Sequence, residues 1–259
     1  MALIFFDIDG TLWDRENVIP ESTKTALRML KENGHQIFLC SGRTKVFIQS
    51  DELFSMDFDG ILSGCGTCIE YHGEEILYKK VDDEVLARSV QMFYDYDMPM
   101  VMEGRDLLFM DADIISRDEY GRYLLDVMRE YVRPIRDNQA EWEVSKFSVL
   151  IGGTRYREVI EALQDDYEFL VHGDIVMEVV PKGYSKATAI AVVCGLLGVD
   201  RADTYAFGDS ANDLEMLDYA GTGVVMGNGT DLAKSHADYV TDDIHADGIF
   251  NACRHFSLI

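Results

Sequence analysis

The sequence predicts an α/β protein: a Rossmann-like core built on a parallel sheet, with an α+β domain inserted into it. Three observations lead there. Apolar runs of strand length alternate with helical segments towards both ends of the chain. Several of these runs stop at glycine accompanied by acidic or hydroxyl residues. Between residues 81 and 182 the alternation gives way to a mixed pattern of helices and paired strands. The expected boundaries are therefore 1–80 for the first part of the core, 81–182 for the insertion and 183–259 for the remainder of the core.

Residues 2–6 are continuously apolar rather than alternating, the pattern of a strand covered on both faces. Asp7-Ile8-Asp9-Gly10-Thr11 follows at once. Because strand side chains alternate, Asp7 and Asp9 share a side at the carboxyl end, where open α/β sheets bind ligands. Two carboxylates so close resist ionising together, so the pair implies a metal, a shared proton or a binding partner. Next, residues 21–33 set Ala26, Leu27, Met29 and Leu30 at helical spacing before Gly34, and a strand at 36–40 completes a βαβ unit. That strand ends in Ser41-Gly42-Arg43-Thr44, with a helix expected to start near Thr44. Residues 68–71 and 75–79 read as a hairpin turning at His72-Gly73-Glu74.

Within the insertion, helices are expected at 83–94, 119–131 and 155–164. Strands are expected at 98–102, 107–110 and 146–151, with turns at Gly104 and at Gly173-Asp174. Met92, Phe93, Tyr94 and Tyr96 read as core packing. Glu178-Val179-Val180-Pro181, close in sequence to Lys186, is expected to face the cleft. The βα rhythm then returns with a helix at 186–197 and a strand at 204–207 that runs into Gly208-Asp209-Ser210-Ala211-Asn212-Asp213. Short strands at 223–226 and 239–241 finish the sheet.

Composition removes several function classes. With 23 Lys+Arg against 47 Asp+Glu, the net charge of -24 lacks the basic footprint that nucleic acid or an anionic membrane surface requires. No apolar run reaches the length of a membrane span, and no basic region precedes residues 2–6, so a cytoplasmic location is expected. The 5 cysteines are scattered, as reduced thiols are. Cys65 and Cys68 form a CxxC in a glycine-rich turn, without a second Cys or His cluster to complete a metal site.

The second acidic cluster gives the first its meaning. Asp209 and Asp213, four apart, converge on one point if a helix begins near Ser210. An all-oxygen donor set without His or Cys suits Mg²⁺. Ser41 and Lys186 complete an inventory for phosphoryl transfer: a nucleophile, an acid/base, a metal, and donors for the equatorial oxygens.

These segments, in this order, resemble the four motifs of the haloacid dehalogenase-like superfamily: Asp7-Ile8-Asp9-Gly10-Thr11, Ser41-Gly42-Arg43, Lys186 within Lys182-Gly183-Tyr184-Ser185-Lys186, and Gly208-Asp209-Ser210-Ala211-Asn212-Asp213. The Cof-type sugar-phosphate phosphatases are the most similar branch, and their ending is similar to Val225-Met226-Gly227-Asn228 and Ala237-Asp238-Tyr239-Val240. One departure is Ser63-Gly64-Cys65-Gly66, where many relatives carry an Asn-Gly-Ala-like turn.

The resemblance covers nearly the whole chain and implies that the insertion is a large α/β cap. It implies that Asp7 attacks phosphorus and that Asp9 serves as acid/base. Mg²⁺ would be held by Asp7, the Asp9 backbone carbonyl and Asp209, with Asp213 acting directly or through water. Ser41, Gly42, Arg43 and Lys186 would bind the phosphate, with Asn212 orienting these donors. The implied activity is Mg²⁺-dependent hydrolysis of a small phosphate ester, a sugar phosphate or a cofactor phosphate, by a monomer or weak homodimer. Two alternatives stay open: a phosphomutase or phosphotransferase using the same nucleophile, and a noncatalytic receiver-like phosphoacceptor module.

Overall fold

The computed structural model describes residues 1–116 and 119–259, apart from the side chains of residues 119–121 and 123. The described residues divide into two compact units. The first comprises Met1–Gly42, Ser50–Leu77 and Ser185–Ile259, and the second Arg43–Gln49 and Tyr78–Tyr184. Among the described residues no helix is long and apolar enough to cross a membrane.

The first unit is built on β1 (Leu3–Phe6), β2 (Gln36–Cys40), β3 (Gly60–Ser63), β4 (Cys68–Tyr71) and β5 (Glu74–Tyr78). Six strands of the second unit follow in the chain: β6 (Met100–Gly104), β7 (Leu108–Phe109), β8 (Val132–Arg133), β9 (Val144–Leu150), β10 (Tyr167–His172) and β11 (Val176–Pro181). The chain then supplies β12 (Thr204–Gly208), β13 (Thr222–Val225) and β14 (Tyr239–Val240) to the first sheet. Its strand order is β14-β13-β12-β1-β2-β3-β4-β5. The strands from β14 to β3 run parallel, and β4 pairs antiparallel with β3.

Strand β1 sits between β12 and β2, and all four of its residues are buried, which explains why Leu3-Ile4-Phe5-Phe6 has no polar alternation. Register places Phe6 beside both Phe207 and Leu39. The segments starting at Asp7, Ser41 and Asp209 therefore leave the same carboxyl edge of adjacent strands.

The helix Lys186–Leu197 begins and ends where its local chemistry says it should. Ser185 caps it by accepting from the Thr188 backbone N–H, and the Thr188 hydroxyl accepts from the Ser185 N–H. Gly198 closes it with a left-handed φ of 65°. The helix expected from Thr44 does not form. A single 3₁₀ turn, Lys45–Phe47, stands there without a side-chain cap, and the Thr44 hydroxyl is oriented to donate to Glu103 Oε2 at 3.0 Å. Ser50 caps a later short helix, Asp51–Phe54.

The second unit carries its own sheet, ordered β10-β11-β9-β6-β7-β8. Apolar residues including Met102, Phe147, Val149, Met177 and Val179 pack with Leu86, Val90, Phe93, Val159 and Leu163 in one core. Phe93 lies inside this cluster and Met92, Tyr94 and Tyr96 lean on it, as core packing requires. Alternate positions of the same strands bear a buried polar chain. Glu103 Oε1 accepts from the Ser148 hydroxyl at 2.6 Å and lies 3.6 Å from Lys146 Nζ, which also pairs with Glu178. The other Glu178 oxygen meets His172 Nε2 at 2.8 Å.

Candidate active site

At the carboxyl edge of β1 the chain turns tightly: Gly10 adopts a φ of 80°, and a Cβ there would overlap the Asp209 carboxylate. Glycine is thus needed for conformation and for space. The Asp7 backbone N–H donates to Phe207 O at 2.9 Å, which ties the start of this turn to β12.

Lys186, from the first turn of its helix, reaches under that edge and is only 2% exposed. Its Nζ donates to Asp7 Oδ1 and Asp213 Oδ1, each at 2.6 Å. Asp213 spends its other oxygen on the turn after β12, where Oδ2 accepts from the backbone N–H groups of Asp209 (2.9 Å) and Ser210 (3.0 Å). The single residue Asp213 therefore shapes the loop that carries Asp209 and fixes the ammonium beside Asp7.

Carboxylate oxygens of Asp7, Asp209 and Asp213 lie within 4.8 Å of one another. One ammonium facing three carboxylates leaves the cluster short of positive charge. Burial, reinforced by the like charge of Asp213, raises Asp7 well above the ordinary carboxylate range, and Lys186 offsets only part of this. Burial alone would lower the Lys186 ammonium, but attraction to Asp213 and Asp7 outweighs it and holds the group well above its usual value. Asp209 is pushed up to about 7, first by burial and then by Asp213.

Asp209 Oδ1 is buried and has no hydrogen-bond partner among the described residues. An orphaned carboxylate oxygen within an electron-rich, all-oxygen cluster fits a hard divalent cation such as Mg²⁺.

The remaining predicted residues are distributed as follows. The Asp9 side chain is exposed and accepts from the Trp13 indole N–H at 3.0 Å. Ser41 is buried beyond β2; its N–H donates to Leu62 O and its carbonyl accepts from Cys65 N–H. The Cys65 thiol lies 3.9 Å from the Gly42 carbonyl. The divergent turn Ser63-Gly64-Cys65-Gly66 thus braces the Ser41-Gly42 loop, with Cys65 itself at a φ of 55°. Arg43 falls in the segment that clusters with the second unit. The Asn212 side-chain carbonyl accepts from the Ser210 hydroxyl at 2.7 Å.

Residue types alone do not single out Trp13 or a functional contact of Asn228. Asn228 donates to Gly10 O at 2.7 Å and accepts from Ile244 N–H at 3.0 Å, pinning the turn after β1 to the C-terminal loops. The signal for it was its position within Val225-Met226-Gly227-Asn228. All five cysteines are buried and outside any disulfide, and the CxxC contributes no metal cluster among the described residues.

Residues 4–253 match the family of haloacid dehalogenase-like hydrolases. The chain belongs to that family. It is a Cof-type member, a phosphoric monoester hydrolase whose second unit is the inserted cap. The protein YkrA of Bacillus subtilis (strain 168) is 31% identical over 257 residues, covering 99% of this chain and 98% of its own. Another B. subtilis protein, 5-amino-6-(5-phospho-D-ribitylamino)uracil phosphatase YcsE, is 29% identical over 266 residues, covering 100% of this chain and 96% of its own. Among solved structures, the sugar phosphatase BT4131 of HAD subclass IIB superposes with a TM-score of 0.84 at 28% identity, with 100% of both chains covered.

Proposed function

We propose that this chain hydrolyses small phosphorylated metabolites, sugar phosphates or cofactor phosphates, through an aspartyl-phosphate intermediate on Asp7, with Mg²⁺ as cofactor. The observation that carries the reading is the convergence of Lys186 on Asp7 and Asp213 beside the unpartnered oxygen of Asp209. Relatives named as a ribityl-phosphate phosphatase and as a sugar phosphatase support the substrate class.

In the first half-reaction the Asp7 carboxylate attacks phosphorus, forming the acyl phosphate O–P bond while the bond to the leaving oxygen breaks. Asp9 gives its proton to that oxygen, releasing the alcohol. In the second, Asp9 takes a proton from water as the water oxygen attacks phosphorus, and the Asp7–phosphate bond breaks to return carboxylate and inorganic phosphate. Lys186 supplies positive charge at the nucleophile, and Ser41 and Gly42 donors to the phosphoryl oxygens, aided by Arg43. Asn212 orients the loop of Ser210, and Asp213 keeps the Lys186 ammonium in place. Asp7, the Asp9 backbone carbonyl, Asp209 and Asp213 would hold the Mg²⁺. When bound, the cation supplies charge that screens these carboxylates from an anionic ester.

A panel of phosphorylated sugars, polyols and cofactors, assayed for phosphate release with and without an added acceptor sugar, tests the reading. Release of free phosphate supports hydrolysis, whereas transfer to the acceptor would identify a mutase or phosphotransferase. No turnover of any ester would return the site to a phosphoacceptor role.

A further inference from the structure

Asp9 and Trp13 stand four residues apart across the turn that follows β1, and their arrangement is unusual for an exposed acid. Asp9 is solvent-exposed, yet its Oδ1 accepts a 3.0 Å hydrogen bond from the indole of Trp13, a residue only 3% exposed. The indole is not free to follow the carboxylate. Trp13 N–H donates to Ile8 O at 3.1 Å, Trp13 O accepts from Gly10 N–H at 2.9 Å, and Asp9 and Trp13 form an isolated bridge. A buried ring held at both ends of its backbone is a fixed post, and an aspartate attached to it loses rotamers that an exposed side chain otherwise samples.

We infer that Trp13 is a positioning residue for proton transfer by Asp9. An indole N–H donates and cannot accept, so it relays no proton. By engaging Oδ1 it assigns the two carboxyl oxygens different tasks: Oδ1 remains the acceptor that anchors the group, and Oδ2 carries the proton to the leaving oxygen. The bond also sets the side-chain torsion from which Oδ2 is presented, which matters because proton transfer requires heavy atoms within hydrogen-bond reach. This inference rests on Asp9 being the acid/base of the proposed mechanism.

The consequence concerns the leaving group. A good leaving group departs with little help, whereas a poor one depends on a correctly placed proton. The test is kcat/KM, which reports formation of the aspartyl phosphate, for phenyl phosphate and p-nitrophenyl phosphate in wild type, Trp13→Phe, Asp9→Asn and the double variant. Trp13→Phe is expected to lose about tenfold more kcat/KM with phenyl than with p-nitrophenyl phosphate. Replacing Trp13 by benzothienylalanine, which keeps the ring shape and puts sulfur in place of N–H, is expected to give the same pattern and separates the lost donor from lost packing. Asp9→Asn should show a larger bias in the same direction, and adding Trp13→Phe to it should cost nothing further.

Equal losses on both esters, a benzothienylalanine variant that behaves as wild type, or additive losses in the double variant would overturn the role of Trp13. If Asp9→Asn itself showed no leaving-group bias, the acid/base assignment would fail instead, a result distinguishable from the first three.

Discussion

Lys186 Nζ meets Asp213 Oδ1 at 2.6 Å, the same separation at which it meets Asp7 Oδ1. The ammonium is thus shared between the carboxylate proposed as nucleophile and the residue that folds the Asp209 loop, so removing it strikes chemistry and architecture together. Lys186→Met should lower kcat/KM by about 100-fold or more, since a buried charge facing the reacting group is lost. It should also cost about 3 kcal/mol of stability in the metal-free protein, because buried carboxylates lose their counter-charge. Steady-state kinetics and denaturant unfolding in chelator check both; wild-type stability in that variant would show that the ammonium does not balance the cluster.

The orphaned oxygen of Asp209 predicts a metal requirement. Chelation should abolish turnover, and Mg²⁺ should restore it more readily than Zn²⁺. Asp209→Asn should raise the Mg²⁺ concentration needed for half-maximal activity and lower the rate at saturation. Full activity in excess chelator would contradict the metal assignment.

Cys65 and Cys68 should be dispensable for catalysis. Both are buried outside any disulfide, and neither joins a metal cluster among the described residues. Cys65→Ser with Cys68→Ser is expected to retain hydrolysis within about threefold, the remaining change reflecting the cramped turn at Cys65 rather than lost thiol chemistry. Inactivity of a folded double variant would revive a thiol role.

Glu178 predicts an acid-sensitive cap. Burial alone would raise its carboxyl, but Lys146 and the bonds from His172 and Lys146 hold it well below the usual carboxylate range. A depressed folded-state value contributes stability that is fully present above the unfolded carboxylate value and is lost as pH falls towards the folded one. Glu178→Gln should therefore cost about 3 kcal/mol at neutral pH and flatten the decline of stability below pH about 4.3. Urea unfolding from pH 7 to 3 measures this, and parallel curves for variant and wild type would refute it.

How much was legible in the sequence depended on how local the cause was. Strand β1 and the helix Lys186–Leu197 were readable because an all-apolar run, a Ser185 cap and Gly198 act within a few residues. The convergence of Asp209 and Asp213 was readable from their spacing. The fate of Thr44 was not, since its hydroxyl is claimed by Glu103, 59 positions away. Strand β3 and the helix Gly248–His255 were also missed: the first is four residues long, and the second begins at glycine after a left-handed Asp247, against the usual start signals. The two-way bridge of Lys186 and the Trp13 bond to Asp9 depend on side-chain geometry that residue spacing does not encode.

In the proposed mechanism Asp7 carries the phosphoryl group while Asp9 moves protons, so variants of the two residues should part at the first chemical step. Asp9→Asn enzyme mixed with p-nitrophenyl phosphate and Mg²⁺ should release a burst of nitrophenolate approaching about one equivalent per site, because this leaving group needs little acid help and the intermediate then lacks its base. Peptide mapping should find the phosphate on Asp7, and Asp7→Asn should give no burst. Phosphate mapped to another residue, or an equal burst from Asp7→Asn, would contradict the account.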